Sequence, residues 1–364
     1  MSSGLFSVDI KPDWESLIRC ICRQGTPQRL HFIELFLDDE IKTAVCDKYI
    51  PLEGLSKSDK DFDLKREIAV HRFLGYDVFR VASAVGIFPS NIIKAADTTA
   101  IEDQQRSVRE WSEEHIGPIQ SWADFEKYLW PKVSDVNFKS LEWMEKNMPD
   151  DMGCYDLTGH ILETVEMLLG YETLCLKLYD EPELIDAILE KVGEFYIEYT
   201  QAICDFSCVK LAWGSDDMGF KTSTLVSAEV LREKILPWHK RCAEVAHKNG
   251  KPYLMHNCGK LDEIMDDLID DVKIDAKHSF EDTIMPVTEA KKRYGDRIAI
   301  LGGIDIDFLC RSSEQAIRKR VRDTLEICTV NNGYCLGTGN TVANYIPLNN
   351  YLTMLDEGRK YITT

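Results

Sequence analysis

The chain has 364 residues, of which 44% are hydrophobic and 29% are charged, and its formal net charge at pH 7 is −19. This length allows a sizeable core and lies within the range of one large α/β barrel. The acidic balance argues against a nucleic-acid-binding protein, because a phosphate backbone requires a basic surface, and no apolar run approaches the ~20 residues of a membrane span.

Short apolar runs alternate with helical patterns along the chain, after an N-terminal helical extension that we expect within residues 1–25. Seven runs are predicted as strands: 30–36, 77–83, 208–216, 251–259, 272–278, 297–305 and 333–340. Strands that alternate with helices indicate parallel pairing. With roughly eight strands and no GxGxxG after the first, the pattern favours an α/β fold of the (β/α)8 TIM-barrel type over a doubly wound sheet. We expect one domain over residues 1–364.

Two of the helices have readable ends. The first is predicted over 227–250, with Ser227 as its N-cap, Gly250 as its stop and a kink at Pro237. The second is predicted over 313–333, where Ser313 is the candidate cap.

The twelve cysteines are scattered along the chain, without CxxC pairs at zinc-ribbon spacing. The N-terminal stretch MSSGLFSVDIKPDW lacks the basic start and the apolar run of a secretory signal. We therefore expect a cytoplasmic protein with reduced thiols. Most of the cysteines are predicted to be small core residues, and one or two are candidate metal ligands.

Polar side chains follow the predicted strands, where a barrel places its chemistry. They are Glu34, Asp38, Asp39, Asp216, Asp217, His256, Cys258, His278, Glu281, Asp305, Cys335, Thr338 and Asn340. A carboxylate after a strand is also a common helix N-cap, so each acid has a structural interpretation beside the functional one.

The stretch LMHNCGKL (254–261) carries the sharpest of these signals. Strand alternation points His256 and Cys258 to the same face. Zinc binds nitrogen and sulfur ligands and, in catalytic sites, uses three protein ligands with one open position. The pair is therefore a candidate zinc clamp, although two small buried neighbours would give the same pattern.

Most of the chain, from about residue 25 to the end, resembles the uroporphyrinogen decarboxylase superfamily. The segment WGSDDMGFKTSTLVSAEVLREKILPWHKRCAEVAHKNGKPYLMHNCGK follows the family pattern of G-x-D-D-x-G, then S-x-E-x-(F/L)-R-x-x-I-L-P-(Y/W), then a strand ending in H-x-C-G. GDRIAILGGID and GYCLGTGNTVANYIPLNNYLTMLDEGRKY resemble later family motifs. The resemblance implies the same (β/α)8 barrel.

The resemblance offers two chemistries. Metal-free decarboxylases of the family use an R-Q-A-G-R segment after the first strand and a His in an L-G-H-G turn. This chain has IELFLDDEI (33–41) and LGTG (336–339) there, with Thr338 in place of the His. A tetracarboxylate substrate also fits poorly beside several aspartates without an arginine clamp. A decarboxylase-like enzyme and a non-catalytic family member therefore remain as alternatives to the second chemistry.

The second chemistry is that of the corrinoid-linked methyltransferases, in which His256 and Cys258 would be zinc ligands. Their third ligand is a Cys at the register of Asn340. Cys335 lies five residues earlier, ~16 Å along an ideal strand, and is the expected third ligand among thiols. Glu34, Asp216 and Glu281 are the oxygen alternatives.

The resemblance implies methyl transfer between a small methoxylated compound or thiol and the cobalamin of a separate corrinoid protein, since no D-x-H-x-x-G segment is present. The zinc activates a thiol or polarises the atom that bears the methyl group. A homodimer is compatible with the family. We expect catalytic roles for Asp216, Asp217 and Glu34, and substrate contacts from Asn340, Phe36, Trp213, His278 and Glu281.

Overall fold

The computed structural model describes residues 5–50, 55–99, 101, 108–113 and 115–361. Eight parallel strands form one sheet, in the order β1-β10-β9-β8-β7-β6-β5-β2. The strands are β1 (His31–Phe32), β2 (Val78–Arg80), β5 (Gly153–Thr158), β6 (Val209–Ser215), β7 (Tyr253–His256), β8 (Ala276–His278), β9 (Ala299–Leu301) and β10 (Tyr334–Leu336). From β2 to β10, each strand of this sheet pairs with the sheet strand that precedes it in the chain, and β10 pairs with β1. This is the order of a (β/α)8 barrel and confirms the predicted fold class.

Helices connect the strands. They are α1 (Trp14–Ile21), α2 (Asp39–Tyr49), α3 (Phe62–Leu74), α4 (Trp122–Lys127), α5 (Lys139–Asn147), α6 (Ile161–Leu169), α7 (Tyr171–Asp180), α8 (Pro182–Cys204), α9 (Ala228–Val230), α10 (Leu236–Lys248), α11 (Val287–Tyr294), α12 (Ile306–Arg311), α13 (Glu314–Cys328) and α14 (Leu348–Arg359). A 3₁₀ turn covers Val133–Asp135, and π-helical turns cover Leu231–Ile235 and Asp267–Val272. None of the described helices combines the length and the apolar character needed to cross a bilayer.

Polar contacts join β1 to β2, the two strands at the ends of the hydrogen-bonded order. Asp77, which precedes β2, is fully buried, and its Oδ2 lies 2.7 Å from Nδ1 of the equally buried His31. Arg29 pairs with the other oxygen of the same carboxylate. In addition, the hydroxyl of Tyr155 on the neighbouring strand β5 donates to the carbonyl of Glu34, just after β1, at 2.5 Å. Buried polar groups of this kind are stable because each has its partner, and they hold the two strands together.

The N-terminal helix α1 closes the lower end of the barrel, where the strands begin. Its buried residues Leu17, Cys20 and Ile21 belong to the same apolar cluster as the inward-facing side chains of the strands. Asp13 caps α1 through a 2.9 Å hydrogen bond from the amide of Ser16. The helix expected within residues 1–25 is thus part of the barrel core. Residues 1–4 and 362–364 of the predicted domain lie outside the described residues.

The predicted helix over 227–250 has its expected ends. Ser227 accepts a hydrogen bond from the amide of Val230, and Gly250 follows the helix with a φ of 70°. Pro237 lies at the start of α10, directly after the π-helical turn. A proline lacks an amide hydrogen and its ring collides with the preceding turn, which accounts for the widened turn before it. The kink itself stays a prediction. Ser313 likewise caps Ala316 at the start of α13.

The sequence analysis missed three strands. One is β5, a central strand of the barrel, whose six residues are all buried. The other two are β3 (Ile92–Ala96) and β4 (Val108–Ser112), which pair antiparallel with each other in a separate sheet. The seven predicted strands were placed correctly but drawn too long. Most of them extend past the strand into the turn at the barrel mouth, and the one over 272–278 begins four residues before β8.

Candidate metal centre

Strand β7 delivers His256 and Cys258 to the barrel mouth, the end where the strands finish. His256 is the last residue of β7, and Sγ of Cys258 lies 3.5 Å from its Nε2. The turn continues through Gly259, whose φ is 83° and where a Cβ would lie 2.2 Å from the backbone of Gly219. Only glycine fits this approach. The close turn holds the loop after β6 against Cys258, and the structure brings the imidazole and the thiol together as the alternation predicts.

Asp217 comes to the same point from the end of β6. Its Oδ1 lies 3.7 Å from Nε2 of His256 and accepts a hydrogen bond of 2.7 Å from the amide of Cys258. One nitrogen, one sulfur and one oxygen thus lie within 4.8 Å of one another. Within the described residues, this is the group of three side chains that could hold a metal ion. The Asp217 side chain is 39% exposed, so the group is open toward solvent on that side.

His278, at the end of β8, orients the imidazole of His256. The two Nδ1 atoms lie 2.8 Å apart, and both residues are buried. When Nδ1 of His256 donates this bond, its Nε2 presents a lone pair toward Cys258 and Asp217. Burial, reinforced by Lys277, lowers the pKa of His256 to about 3, so the ring is neutral. A neutral imidazole is the form that binds metals.

Asn340 approaches the thiol from the turn after β10. Its Nδ2 donates to Sγ of Cys258 at 3.2 Å. Burial raises the pKa of Cys258 well above its usual range, and Asp217 raises it further. A protonated thiol must therefore lose its proton before it can bind a cation. Asn340 thus lies beside the metal group, at the position where the resemblance places a Cys ligand.

Asp216 has a structural role, which corrects the expected catalytic one. Its carboxylate is fully buried and accepts hydrogen bonds from the amides of Leu162 and Glu163 at 3.0 and 2.9 Å. Nε2 of His239 lies 2.8 Å from the same carboxylate. These partners bind the carboxylate to the N-terminus of α6, where the helix dipole favours a negative charge. Both oxygens of Asp216 thus have partners on α6 or α10, away from the metal group.

Cys335 lies apart from the metal group, so the expectation that it supplies the third ligand is wrong. Its backbone pairs with His31 and Leu301 inside the barrel. Its buried side chain belongs to the lower apolar cluster, which also contains Cys20. The strand runs straight, without the bulge that would carry Cys335 to the mouth, and only the later residue Asn340 reaches it.

Trp213 is a packing residue, which corrects its expected role in substrate binding. It is fully buried, and its ring lies 4.9 Å from that of Tyr155 and 5.6 Å from that of His278. His278 is equally buried and acts on His256 instead of facing a substrate. Glu281 is half-buried and lines a cavity beside Gly259. None of the three expected oxygen donors, Glu34, Asp216 and Glu281, belongs to the metal group. Its oxygen donor is Asp217.

Glu34 and Phe36 lie on another side of the mouth, in a cavity that they share with Arg80 and Tyr155. The Glu34 carboxyl accepts hydrogen bonds of 2.8 and 2.5 Å from the amide and the hydroxyl of Thr338. Burial raises its pKa to about 8, although Thr338 acts in the opposite direction. The structure does not bring Glu34 to the metal group.

Lys277 is a buried cation beside the metal group that the sequence analysis did not single out. Its Nζ donates to the carbonyls of Ser279 and Asn257 at 2.8 and 3.2 Å and lies 4.6 Å from the ring centre of Phe280. Burial lowers its pKa to about 8. The one available signal was a lysine inside the predicted strand 272–278, and the structure buries every position of β8.

A comparison with models of known protein families identifies the family of this chain. The family model for uroporphyrinogen decarboxylase (URO-D) matches residues 115–361. The chain belongs to this family. The match includes β5 to β10 and therefore every residue of the metal group.

Individual relatives are distant. A methylated-thiol–coenzyme M methyltransferase from Methanosarcina mazei is 24% identical over 197 residues, which is 54% of this chain and 48% of the relative. The match thus spans about half the length of that curated protein. A methyltransferase structure from Methanosarcina mazei superposes with a TM-score of 0.70 at 13% identity, covering 95% of this chain and 97% of the other. A structure described as a vitamin-B12-independent methionine synthase from Listeria monocytogenes gives a TM-score of 0.51 at 14% identity, with 93% and 97% covered. These likenesses show a shared fold.

Proposed function

We propose that the protein is a zinc-dependent methyltransferase that moves a methyl group between a small substrate and the cobalamin of a separate corrinoid protein. The observation that carries this proposal is the group of His256, Cys258 and Asp217 at the barrel mouth. The relative that acts on methylated thiols and the fold shared with a methyltransferase support the reaction class.

The three side chains fit zinc in chemistry and in spacing. Zinc accepts histidine nitrogen, cysteine sulfur and carboxylate oxygen with bonds of about 2.0 to 2.3 Å, and tetrahedral geometry then places ligands roughly 3.3 to 3.8 Å apart. The observed separations are 3.5 Å from Cys258 Sγ to His256 Nε2 and 3.7 Å from Asp217 Oδ1 to the same nitrogen. Three protein ligands leave one position for a substrate atom.

Bound zinc would supply Lewis acidity, which lowers the pKa of a thiol or polarises the heteroatom that bears a methyl group. The residues of the chain prepare the place for it. His278 fixes the ring of His256, and burial keeps that ring neutral. Cys258 releases a proton when it becomes a ligand, so metal uptake should strengthen as pH rises. An oxygen ligand in place of a second thiolate makes the donor set harder, which favours a substrate with an oxygen or nitrogen donor.

The metal-free decarboxylase receives no support from the mouth. Thr338 stands where that chemistry uses a His, and its hydroxyl is already bonded to Glu34. The arginine segment expected after the first strand is absent from residues 33–41.

Metal content measured beside methyl transfer tests the proposal. We expect about one zinc per chain in the parent and none in His256→Ala. His247→Ala is the matched control, since His247 is an exposed imidazole on α10 that pairs with Asp275. Transfer is followed by the absorbance of free methylcobalamin with a panel of thiols, and of cob(I)alamin with thioethers and methoxylated aromatics. Parent protein that takes up no zinc when zinc is supplied would contradict the proposal, as would equal zinc in both variants.

A further inference from the structure

Arg80, the last residue of β2, forms no salt bridge within 4.0 Å among the described residues. Its guanidinium lies over the ring of Phe36, 5.2 Å from the ring centre. Its Nε is buried and has no hydrogen-bond partner among the described residues. By contrast, Arg29 pairs with the buried Asp77, and Arg66 pairs with Asp39. A buried donor without a partner is costly, and a guanidinium has five N–H donors to satisfy.

The acids near Arg80 are already committed to other groups. Asp156 is close enough for Arg80 to favour its ionised form, but its carboxylate accepts from the amides of Ser83 and Leu157 and from the hydroxyl of Tyr199. In the cavity that Arg80 lines, Glu67 pairs with Lys42 at 2.5 Å. A further acid of the cavity, Asp63, is 80% exposed and lies 3.4 Å from Arg66.

Glu34 is the remaining carboxyl that lines this cavity, and its charge does little to neutralise Arg80. Its two oxygens accept from Thr338. Because burial raises its pKa to about 8, it is largely neutral near pH 7. Glu34 therefore adds little negative charge beside Arg80.

The cavity has an apolar part beside the polar side chains of Lys42, Asp63, Glu67, His71 and Ser140. Its walls include Tyr76, Val78, Phe79, Met144 and Tyr155. Small-molecule sites commonly combine such walls with a few polar groups that fix orientation. The cavity lies at the end of β2 and the start of the loop after β1, at the mouth where the metal group also lies.

We propose that Arg80, stacked on Phe36, binds the carboxylate or sulfonate of a small organic anion whose apolar body fills this cavity. That the anion is the methyl-carrying or methyl-accepting substrate rests on the proposed function, whereas the anion site itself does not. Arginine suits either oxoanion, because its planar fork donates two parallel hydrogen bonds.

Calorimetric titration of the full chain, after treatment with a chelator, tests the site apart from any zinc chemistry. The probes are benzoate, ethanesulfonate, inorganic phosphate and the neutral benzamide. The variants are Arg80→Met and Arg80→Lys. Arg241→Met is the matched control, because Arg241 also lies over an aromatic ring, 4.9 Å from Trp238, but on α10 outside the mouth. Circular dichroism verifies that each variant folds.

We expect the parent and Arg241→Met to bind benzoate or ethanesulfonate, and to prefer it to benzamide and to phosphate. Arg80→Met should weaken that binding about 10- to 100-fold, the range of a charge-assisted contact, and Arg80→Lys should weaken it less. Preference for benzoate over ethanesulfonate, or the reverse, identifies the oxoanion. The proposal is overturned if Arg80→Met binds as the parent does, if benzamide binds as well as benzoate, if phosphate binds more tightly than both organic anions, or if no organic anion binds. Anion binding without zinc uptake would reject the proposed function and leave the site intact.

Discussion

The two ends of the barrel use cysteine in opposite ways. At the lower end, Cys335 and Cys20 lie among apolar side chains that α1 covers. At the mouth, Cys258 lies beside an imidazole, an amide and a carboxylate. The thiols are chemically the same, but one end surrounds them with carbon and the other with groups that bind cations.

This difference follows from strand direction. All eight strands are parallel, so every residue that follows a strand is brought to the mouth, and residues at the strand starts meet α1. Loops at the mouth have free backbone and polar side chains, whereas the covered end can be filled like an ordinary core. Substitutions should therefore affect metal binding at the mouth and stability at the lower end.

Replacing the cysteines at the two ends of the barrel by alanine, one at a time, should give the largest contrast between mouth and lower end. Cys258→Ala should abolish zinc binding, because two ligands alone hold zinc weakly. Cys335→Ala should retain about one zinc per chain and lower the free energy of unfolding by about 1 kcal/mol, through the loss of one small buried group. Elemental analysis and urea unfolding measure the two effects. Zinc loss in Cys335→Ala with retention in Cys258→Ala would show that the ligand set has been assigned to the wrong end.

A smaller contrast concerns Glu34, an acid buried near the mouth. Its pKa rises from an ordinary 4.5 to about 8 in the folded protein. Between these values the unfolded chain loses the proton that the folded protein keeps, so this residue makes stability fall as pH rises, until the curve levels above about pH 8. Glu34→Gln cannot ionise and should remove this share of the pH dependence, on the order of 5 kcal/mol across the window.

Urea unfolding midpoints at pH 5 to 9 measure the effect. Glu126→Gln, which changes an exposed acid, is the control and should follow the parent curve. If the Glu34→Gln curve were as steep as that of the parent, the Glu34 carboxyl would be ionised in the folded protein.

The positions at strand ends could be predicted from sequence, because an apolar run that stops at Gly, Asp or His shows where a strand reaches the mouth. The direction of a side chain after the strand could not. Asp216 and Asp217 are neighbours with the same chemistry, yet the first caps α6 and the second faces His256. Asp216 is held by amides of α6, such as that of Leu162, which lies 54 residues earlier in the chain, and this leaves Asp217 to face His256.

Roles that depend on burial were also out of reach. His278 looked like a candidate for substrate contact, but the structure buries it behind His256. Nothing in the run DVFRVAS distinguishes Arg80, and only the tertiary structure shows that its buried Nε has no hydrogen-bond partner among the described residues. Sequence patterns report which element carries a residue, whereas charge pairing depends on elements that are distant in the chain.

The smallest predicted effect at the mouth belongs to His278, which acts on the metal group through His256. His278→Phe keeps a ring of similar size beside Trp213 but removes the partner of His256 Nδ1. Residues that orient a ligand in this way typically change metal affinity by about 10- to 100-fold. We expect zinc affinity, measured by competition with a chromogenic chelator, to fall within that range while saturating zinc still reaches about one per chain. His71→Phe, which replaces a buried imidazole packed on Phe79, is the control and should leave zinc affinity unchanged. Unchanged affinity in His278→Phe would mean that the strand backbone alone orients His256, and complete loss of zinc would mean that His278 is itself a ligand.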